Sequence, residues 1–420
     1  MNASDYMNPG LLRTEEDIRR FERVPLEERG LPRSTYQMLM DGCAIDPSKT
    51  AIHEFSDGSR PMATDRRTTY AELRAKVNQT ANLLFDLGVG KDDVVSVLMP
   101  AVTESQFVLW GAQAAGIVNP VNWMLEPEIL VQMFRAAATK VLVVYGGDEH
   151  AQPWPKLEAV VPQLPSLRAV VRAGGQRPCP AAIGDVEVVD FGASLDRYPA
   201  DRLVSGRVFD PDDTASLFHT GGTTGAPKLA RHLHRNQVFW IWASKYLSGP
   251  GAEEVRLIGV PIFHVAGAIV GCYGPLTRGA IIVLMTSAGY RHPTVVPNLW
   301  RIVEAFRAST VTFVPTLVNQ LLSIPVDGAD LSSVSYAACS TAPLSTAAAE
   351  AFFAMTGLRI RESYGMTETM AVTFITPSTD RPKVGSSGLR IPYQQARIVE
   401  LDPHGRIRRD CGPGEPGLVL

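Results

Sequence analysis

The chain has few of the features that would assign it quickly. Its 420 residues hold five cysteines, Cys43, Cys179, Cys272, Cys339 and Cys411, an odd number at wide spacing with no C-x-x-C. That excludes a disulfide framework and a cysteine zinc site, and it points to a reducing compartment. Charge is sparse and balanced: 20% of residues are charged and the net charge is −3. No basic field for nucleic acid follows from that. The first residues, Met1-Asn2-Ala3-Ser4-Asp5, carry neither a basic cluster nor an apolar run, so no signal peptide is expected and the cytoplasm is the expected location. Two long stretches lack charge, Ser105 to Leu125 and Leu257 to Thr277. The first is interrupted by Gln106, Gln113, Asn119, Pro120 and Asn122, and the second by Pro261, His264 and Pro275. Both read as a strand and a helix inside a water-soluble core rather than as membrane spans. No G-x-S-x-G, nucleophile triad or His/Cys/Asp cluster at metal spacing occurs.

What is present is a phosphate-like loop. Phe218-His219-Thr220-Gly221-Gly222-Thr223-Thr224-Gly225-Ala226-Pro227-Lys228 follows the short apolar run from Thr214. Glycines let successive N–H groups turn into one concavity, threonines add neutral donors, and lysine adds a mobile positive charge. The stretch fails the G-x-x-x-x-G-K-[ST] template. Ala226-Pro227 separate the last glycine from Lys228, and Leu229 stands where a metal-binding hydroxyl belongs. A surface loop of small polar residues is the plainer alternative, but it does not account for the proline-anchored lysine.

Around this loop, helical and short buried-strand patterns alternate, which predicts an α/β fold with mostly parallel sheets. Thr69-Tyr70-Ala71-Glu72 is a capping box opening a helix that closes at Gly88. Strands are expected at Val94 to Leu98, Val141 to Val144, Leu167 to Val171, Val186 to Val189, Arg256 to Val260, Ile281 to Met285, Thr310 to Val314, Val334 to Ala338 and Leu358 to Ile360. Three parts are expected. Residues 1–35 form a surface leader, 36–382 two α/β subdomains, and 383–420 the start of a small β-rich subdomain.

Tyr364-Gly365-Met366-Thr367-Glu368 follows the last of these strands. A ring to stack on a base, a hydroxyl for a phosphate oxygen and a carboxylate for Mg²⁺ could make a nucleotide site there. Taken alone, a capped strand end explains the segment equally well. His264 lies in the apolar run Pro261-Ile262-Phe263-His264-Val265-Ala266-Gly267, where a lone histidine is more often a satisfied core residue. Cys339-Ser340-Thr341-Ala342-Pro343 reads as an ordinary approach to a helix capped by Ser345.

In this order, however, the four segments Thr220 to Lys228, Pro261 to Gly267, Thr341-Ala342-Pro343-Leu344 and Tyr364 to Glu368 resemble the adenylate-forming superfamily of acyl-CoA synthetases, adenylation domains and luciferases. The resemblance is greatest to AMP-forming acyl-CoA synthetases. It runs from about Thr68 to the end, and Val384-Gly385-Ser386-Ser387-Gly388 extends it. It implies attack of a carboxylate on the α-phosphate of MgATP, then transfer of the acyl group to the thiol of coenzyme A. ATP, Mg²⁺ and coenzyme A are thus the implied cofactors and co-substrates. A small-molecule carboxylic acid is the implied partner, and a homodimer is compatible.

Carried onto this chain, Thr220, Gly221, Gly222, Thr223, Thr224, Gly225 and Lys228 would hold the phosphates. Thr341, Ala342, Tyr364 and Gly365 would hold adenine, and Thr367 the α-phosphate. Glu368 would bind the metal and His264 would border the acid. Trp240, Val265, Thr316 and Met370 would line the acyl pocket. Phe263-His264, where amino-acid-activating relatives often have Phe-Asp, favours a fatty or aryl acid. Gly221, Leu229 and Thr341 depart from the usual Ser, Gly and Gly. The superfamily also continues past the position of Leu420 into a mobile C-terminal lid, so the chain is expected to represent the large N-terminal domain, slow or inactive by itself. The competing expectation is a naturally truncated, non-catalytic protein that binds a nucleotide or acyl ligand.

Overall fold

The computed structural model describes residues 10–220, 228–249, 251–378 and 382–420. Two large sheets carry the chain, each with six parallel strands at its centre. In the first, Thr214–His219, Ile117–Pro120, Val94–Leu98, Thr139–Tyr145, Ala169–Ala173 and Val186–Asp190 lie side by side. Antiparallel edges, Leu229–Leu233 and Ala182–Ile183, close it. In the second, the parallel order is Ile360–Tyr364, Tyr336–Cys339, Thr310–Phe313, Val255–Ile258, Ile281–Met285 and Thr50–Phe55. Its antiparallel edges are Phe374–Ile375 with Leu389–Arg390 on one side and Arg66–Thr69 on the other. A third sheet of three short strands, Ile398–Leu401, Ile407–Asp410 and Leu418–Val419, follows.

Parallel strands are covered on both faces and therefore read as unbroken apolar runs. Val94–Leu98 is buried along its whole length, and Ile281–Met285 along all but its first residue. Helix Tyr70–Asp86 starts on Thr69, with the reciprocal Thr69–Glu72 bonds in place, and Gly88 takes φ +83° to turn the chain out of it. The charge-free stretches resolve as expected. Ser105 to Leu125 supplies most of helix Thr103–Ala115 and the strand Ile117–Pro120. Leu257 to Thr277 supplies the end of strand Val255–Ile258 and a helix. Among the described residues no helix is long and apolar enough to cross a membrane. The second helix has one departure: Ala266–Tyr273 is wound as a π-helix, whose wider turn is frequently found at functional sites.

The first described residues pack into the body. Leu12, Ile18 and Phe21 are buried against Ala243, Tyr246, Leu247, Ile375 and Ile391. Arg390 pairs with Glu15 and Glu22, tying helix Glu15–Phe21 to the edge of the second sheet.

Candidate functional site

In the second sheet, the strands ending at Tyr364, Cys339, Phe313 and Ile258 are consecutive neighbours. Their carboxyl ends release, side by side, the segments that begin at Gly365, Ser340, Val314 and Gly259. Three of the four segments singled out in the sequence thus meet on one rim. Such rims are where open parallel sheets hold ligands.

The fourth segment arrives from the other sheet. Thr214–His219 and Leu229–Leu233 form an antiparallel hairpin, and the Thr220 N–H donates to the Lys228 carbonyl at 3.0 Å, closing the loop between them. Gly221, Gly222, Thr223, Thr224 and Gly225 lie outside the described residues. Lys228 is exposed and Thr220 half-buried. The hairpin touches the second sheet's rim twice. His232 Nε2–H donates to the Thr367 carbonyl at 2.7 Å, and the His219 ring stacks on Phe263 with centroids 6.0 Å apart. Burial pushes the His232 imidazole down, so it stays neutral and donates from Nε2. Next along the chain, the Trp240 indole N–H donates to the Val372 carbonyl at 2.8 Å.

A cleft of about 590 Å³ lies beside this junction, lined among others by Arg231, His232, Tyr364, Met366, Glu368 and Met370. Tyr364 is 41% exposed, and among the described residues its ring makes one aromatic contact, with Phe374 at 6.2 Å. A planar base has room to stack on it. Thr367 is buried at the start of the short 3₁₀ turn Thr367–Thr369. Glu368 is exposed, with no hydrogen-bond or ion-pair partner among the described residues. An unpaired carboxylate facing a cleft suits Mg²⁺, which takes one or two carboxylates and fills the rest of its shell with water and phosphate oxygens.

His264 is half-buried. Its Nδ1 accepts the Ala266 N–H at 3.2 Å, and burial lowers its pKa. The neutral ring then carries its proton on Nε2, free to donate. His219 lies near enough for His264 to add to the burial that lowers its own pKa. Gly267 is obligatory: a Cβ there would sit 2.1 Å from the Pro261 carbonyl oxygen.

Thr341 and Ala342 are exposed just beyond strand Tyr336–Cys339. Thr341 takes φ +82°, a region a β-branched residue avoids, which explains why glycine suits that position. Thr341→Gly should therefore raise stability by about 1 kcal/mol, read as a higher denaturation midpoint. An unchanged or lower midpoint would show that the threonine side chain compensates for the strain.

The four acyl-pocket candidates separate. Trp240 lines an enclosed cavity under the rim, together with Ala266, Val270, Ala338 and Val372. Met370, at φ +85°, lines the nucleotide-side cleft instead. Val265 is buried in the central core and Thr316 is exposed. The sequence reading did not single out His219, His232 or Glu362. The Glu362 carboxylate accepts from the N–H of Gly385 at 2.8 Å and of Leu344 at 3.4 Å, fastening two segments of the site to one strand. Only its place beside Ser363-Tyr364 could have signalled it.

Two convergent parallel sheets, with a glycine-loop hairpin facing a rim of strand ends, define the N-terminal domain of an adenylate-forming enzyme. The chain belongs to the AMP-binding enzyme family, which matches residues 41–420. It is 32% identical over 419 residues to the marinolic acid–CoA ligase of Pseudoalteromonas sp. strain SANK 73390, covering 98% of this chain and 62% of that protein. It is 26% identical to a long-chain-fatty-acid–CoA ligase of Escherichia coli O6:H1, covering 89% of this chain and 68% of that one. The chain thus spans roughly two thirds of the length of these relatives. The crystal structure of the anthranilate CoA ligase AuaEII with anthranoyl-AMP superposes with a TM-score of 0.80 at 22% identity, over 94% of this chain and 71% of that one. The N-terminal domain of FACL13 from Mycobacterium tuberculosis superposes at 0.72 and 22% identity, over 90% of this chain and 86% of that one.

Proposed function

We propose that this chain is the nucleotide- and acid-binding domain of an acyl-CoA synthetase. One carboxylate oxygen of the acid attacks the α-phosphorus of ATP, and the bond to the bridging oxygen breaks to release pyrophosphate. The sulfur of coenzyme A then attacks the acyl carbon and AMP leaves. The observation that carries this reading is the convergence of the glycine-loop hairpin on the Tyr364–Thr369 turn, joined by the His232–Thr367 bond.

In this reading Thr220, Lys228 and the loop between them receive the β- and γ-phosphates, offering preplaced donors to the charge that builds on pyrophosphate. Tyr364 stacks on adenine beside Thr341, Ala342 and Gly365. Thr367 orients the α-phosphate, and His264, two residues before the cavity-lining Ala266, donates from Nε2 to the acid. Glu368 would hold Mg²⁺, which would neutralise phosphate charge. The apolar walls Ala266, Val270 and Val372 favour a fatty or aryl acid over an amino acid.

The test is ATP–pyrophosphate exchange across a panel of acids, followed by thioester formation with coenzyme A. Acid-dependent exchange supports the proposal. Nucleotide binding with no exchange for any acid refutes it and favours a binding protein. Glu368→Gln should raise the Mg²⁺ concentration for half-maximal exchange by on the order of tenfold. An unchanged Mg²⁺ dependence would remove Glu368 from the metal's shell.

A further inference from the structure

The enclosed cavity beneath the rim has an unexpected floor. Its lining residues follow the parallel strands from one end to the other. Its upper lining, Ser340 and Ser363, lies at the strands' carboxyl ends, and Ala266, two residues from His264, stands beside it. Its lower lining, Arg256 and Tyr336, lies at their amino ends, with Arg278 on the segment leading into the next strand. Ser340 stands four residue steps beyond Tyr336, just past the end of strand Tyr336–Cys339, a depth of ~13 Å.

The walls between are mostly apolar, but the floor carries two guanidiniums. Arg256 pairs with Glu254 at 2.7 Å and Arg278 pairs with the same carboxylate at 3.2 Å. The Glu254 side chain is wholly buried, and those of Arg256 and Arg278 are 7% and 13% exposed. Among the described residues Glu254 is the one carboxylate within ion-pair distance of either arginine, so two cations share one anion. Lys245, near enough to feel Arg278, adds to the positive side. The Nε of Arg278 is buried with no hydrogen-bond partner. A buried donor left unmade is costly, and a surplus cation at the end of an apolar channel is costlier still. A purely hydrocarbon chain would leave both as they are.

Resting on the proposed function, we infer that the acid activated here carries a second anionic group at its far end, an unbranched α,ω-dicarboxylic acid that places its distal carboxylate on Arg256 and Arg278. One carboxylate lies at the rim beside Ser340 and Ser363, on the side of His264, and is activated. The other receives charge-assisted bonds at the floor, where water is excluded. The depth between rim and floor sets the length of the chain that joins the two carboxylates.

The experiment compares decanedioic with decanoic acid in ATP–pyrophosphate exchange and in calorimetric binding, on the full chain and on its Arg278→Leu variant, with thermal unfolding recorded for both. The expected result is a preference of about tenfold or more in Kd for the diacid, collapsing in Arg278→Leu while decanoic acid binds the variant as well or better. Equal or tighter binding of decanoic acid by the unmodified chain, with exchange supported, overturns the second carboxylate and leaves the synthetase reading intact. Exchange with neither diacids, fatty acids nor aryl acids overturns that reading and the inference with it. If Arg278→Leu does not fold, Arg278→Lys keeps a cation while changing its geometry. A diacid preference unaltered in that variant would overturn the assignment of Arg278.

Discussion

Replacing Glu254 with glutamine should destabilise the protein by about 3–5 kcal/mol, far more than any surface ion pair is worth. The carboxylate is completely buried, and it bonds the Nε of Arg256 at 2.7 Å and an Nη of Arg278 at 3.2 Å. Burial alone would push this carboxyl up, but Arg256 and Arg278 outweigh it and hold its pKa below the ordinary value. A carboxylate whose folded pKa is depressed contributes stability above its unfolded pKa and loses it as pH falls through the folded one. The gap between the parent and Glu254→Gln should therefore be full at neutral pH and close below the ordinary carboxylate range. The cost arises because glutamine leaves two guanidiniums buried without a counter-charge. Converting the whole triad to apolar residues of similar volume should cost much less than the single change. Urea denaturation of the three proteins at neutral and acidic pH is the measurement. A loss below about 1 kcal/mol for Glu254→Gln would mean that water reaches the arginines and that the cavity floor is not dry.

That triad also shows where sequence reading stops. The strands were legible because burial on both faces writes itself as an apolar run: Val94–Leu98 and Ile281–Met285 stand where the sequence places them. The helix at Tyr70 was legible because Thr69 and Glu72 cap it locally. Leu229–Leu233 was not. It is an edge strand reading Leu-Ala-Arg-His-Leu, paired on one side only, so no continuous apolar face is required of it. Thr50–Phe55 was hidden by His53 and Glu54, whose partners Asp65 and Arg66 lie across the turn. At the site, the motifs announced the rim because each is contiguous. Glu254, Arg256 and Arg278 did not announce the floor: each reads singly as a solvated charge, and only the parallel crossover brings Arg278 back beside Arg256. His232 was hidden for the same reason, since its partner is a carbonyl 135 residues away.

Gly365→Ala should cost ~100-fold or more in ATP–pyrophosphate exchange, with a smaller loss of about 1–3 kcal/mol in stability. A Cβ at this position would lie 1.8 Å from the Ala371 carbonyl oxygen and 2.5 Å from the Val372 Cα. Both are backbone atoms, so no side-chain rotation relieves the clash. The two strands must separate instead. They are held by the Thr373 N–H bond to the Tyr364 carbonyl at 2.8 Å and by the pairing of Tyr364 with Phe374. The turn between Gly365 and Ala371 carries Glu368 into the cleft with Thr367 buried next to it, and the His232–Thr367 bond ties it to the glycine-loop hairpin. Moving this turn by an ångström displaces the groups assigned to the α-phosphate and the metal together; of the turn's residues only the last, Met370, and Ala371 after it belong to the buried core of the first cluster. The loss should therefore fall on exchange more than on folding. Gly251→Ala is the control: among the described residues nothing lies within 4 Å of the added carbon, and exchange and unfolding should both match the parent. Exchange within about threefold of the parent in Gly365→Ala would mean that the turn can shift without carrying the reacting groups with it. The Tyr364–Glu368 segment would then not be where ATP is held.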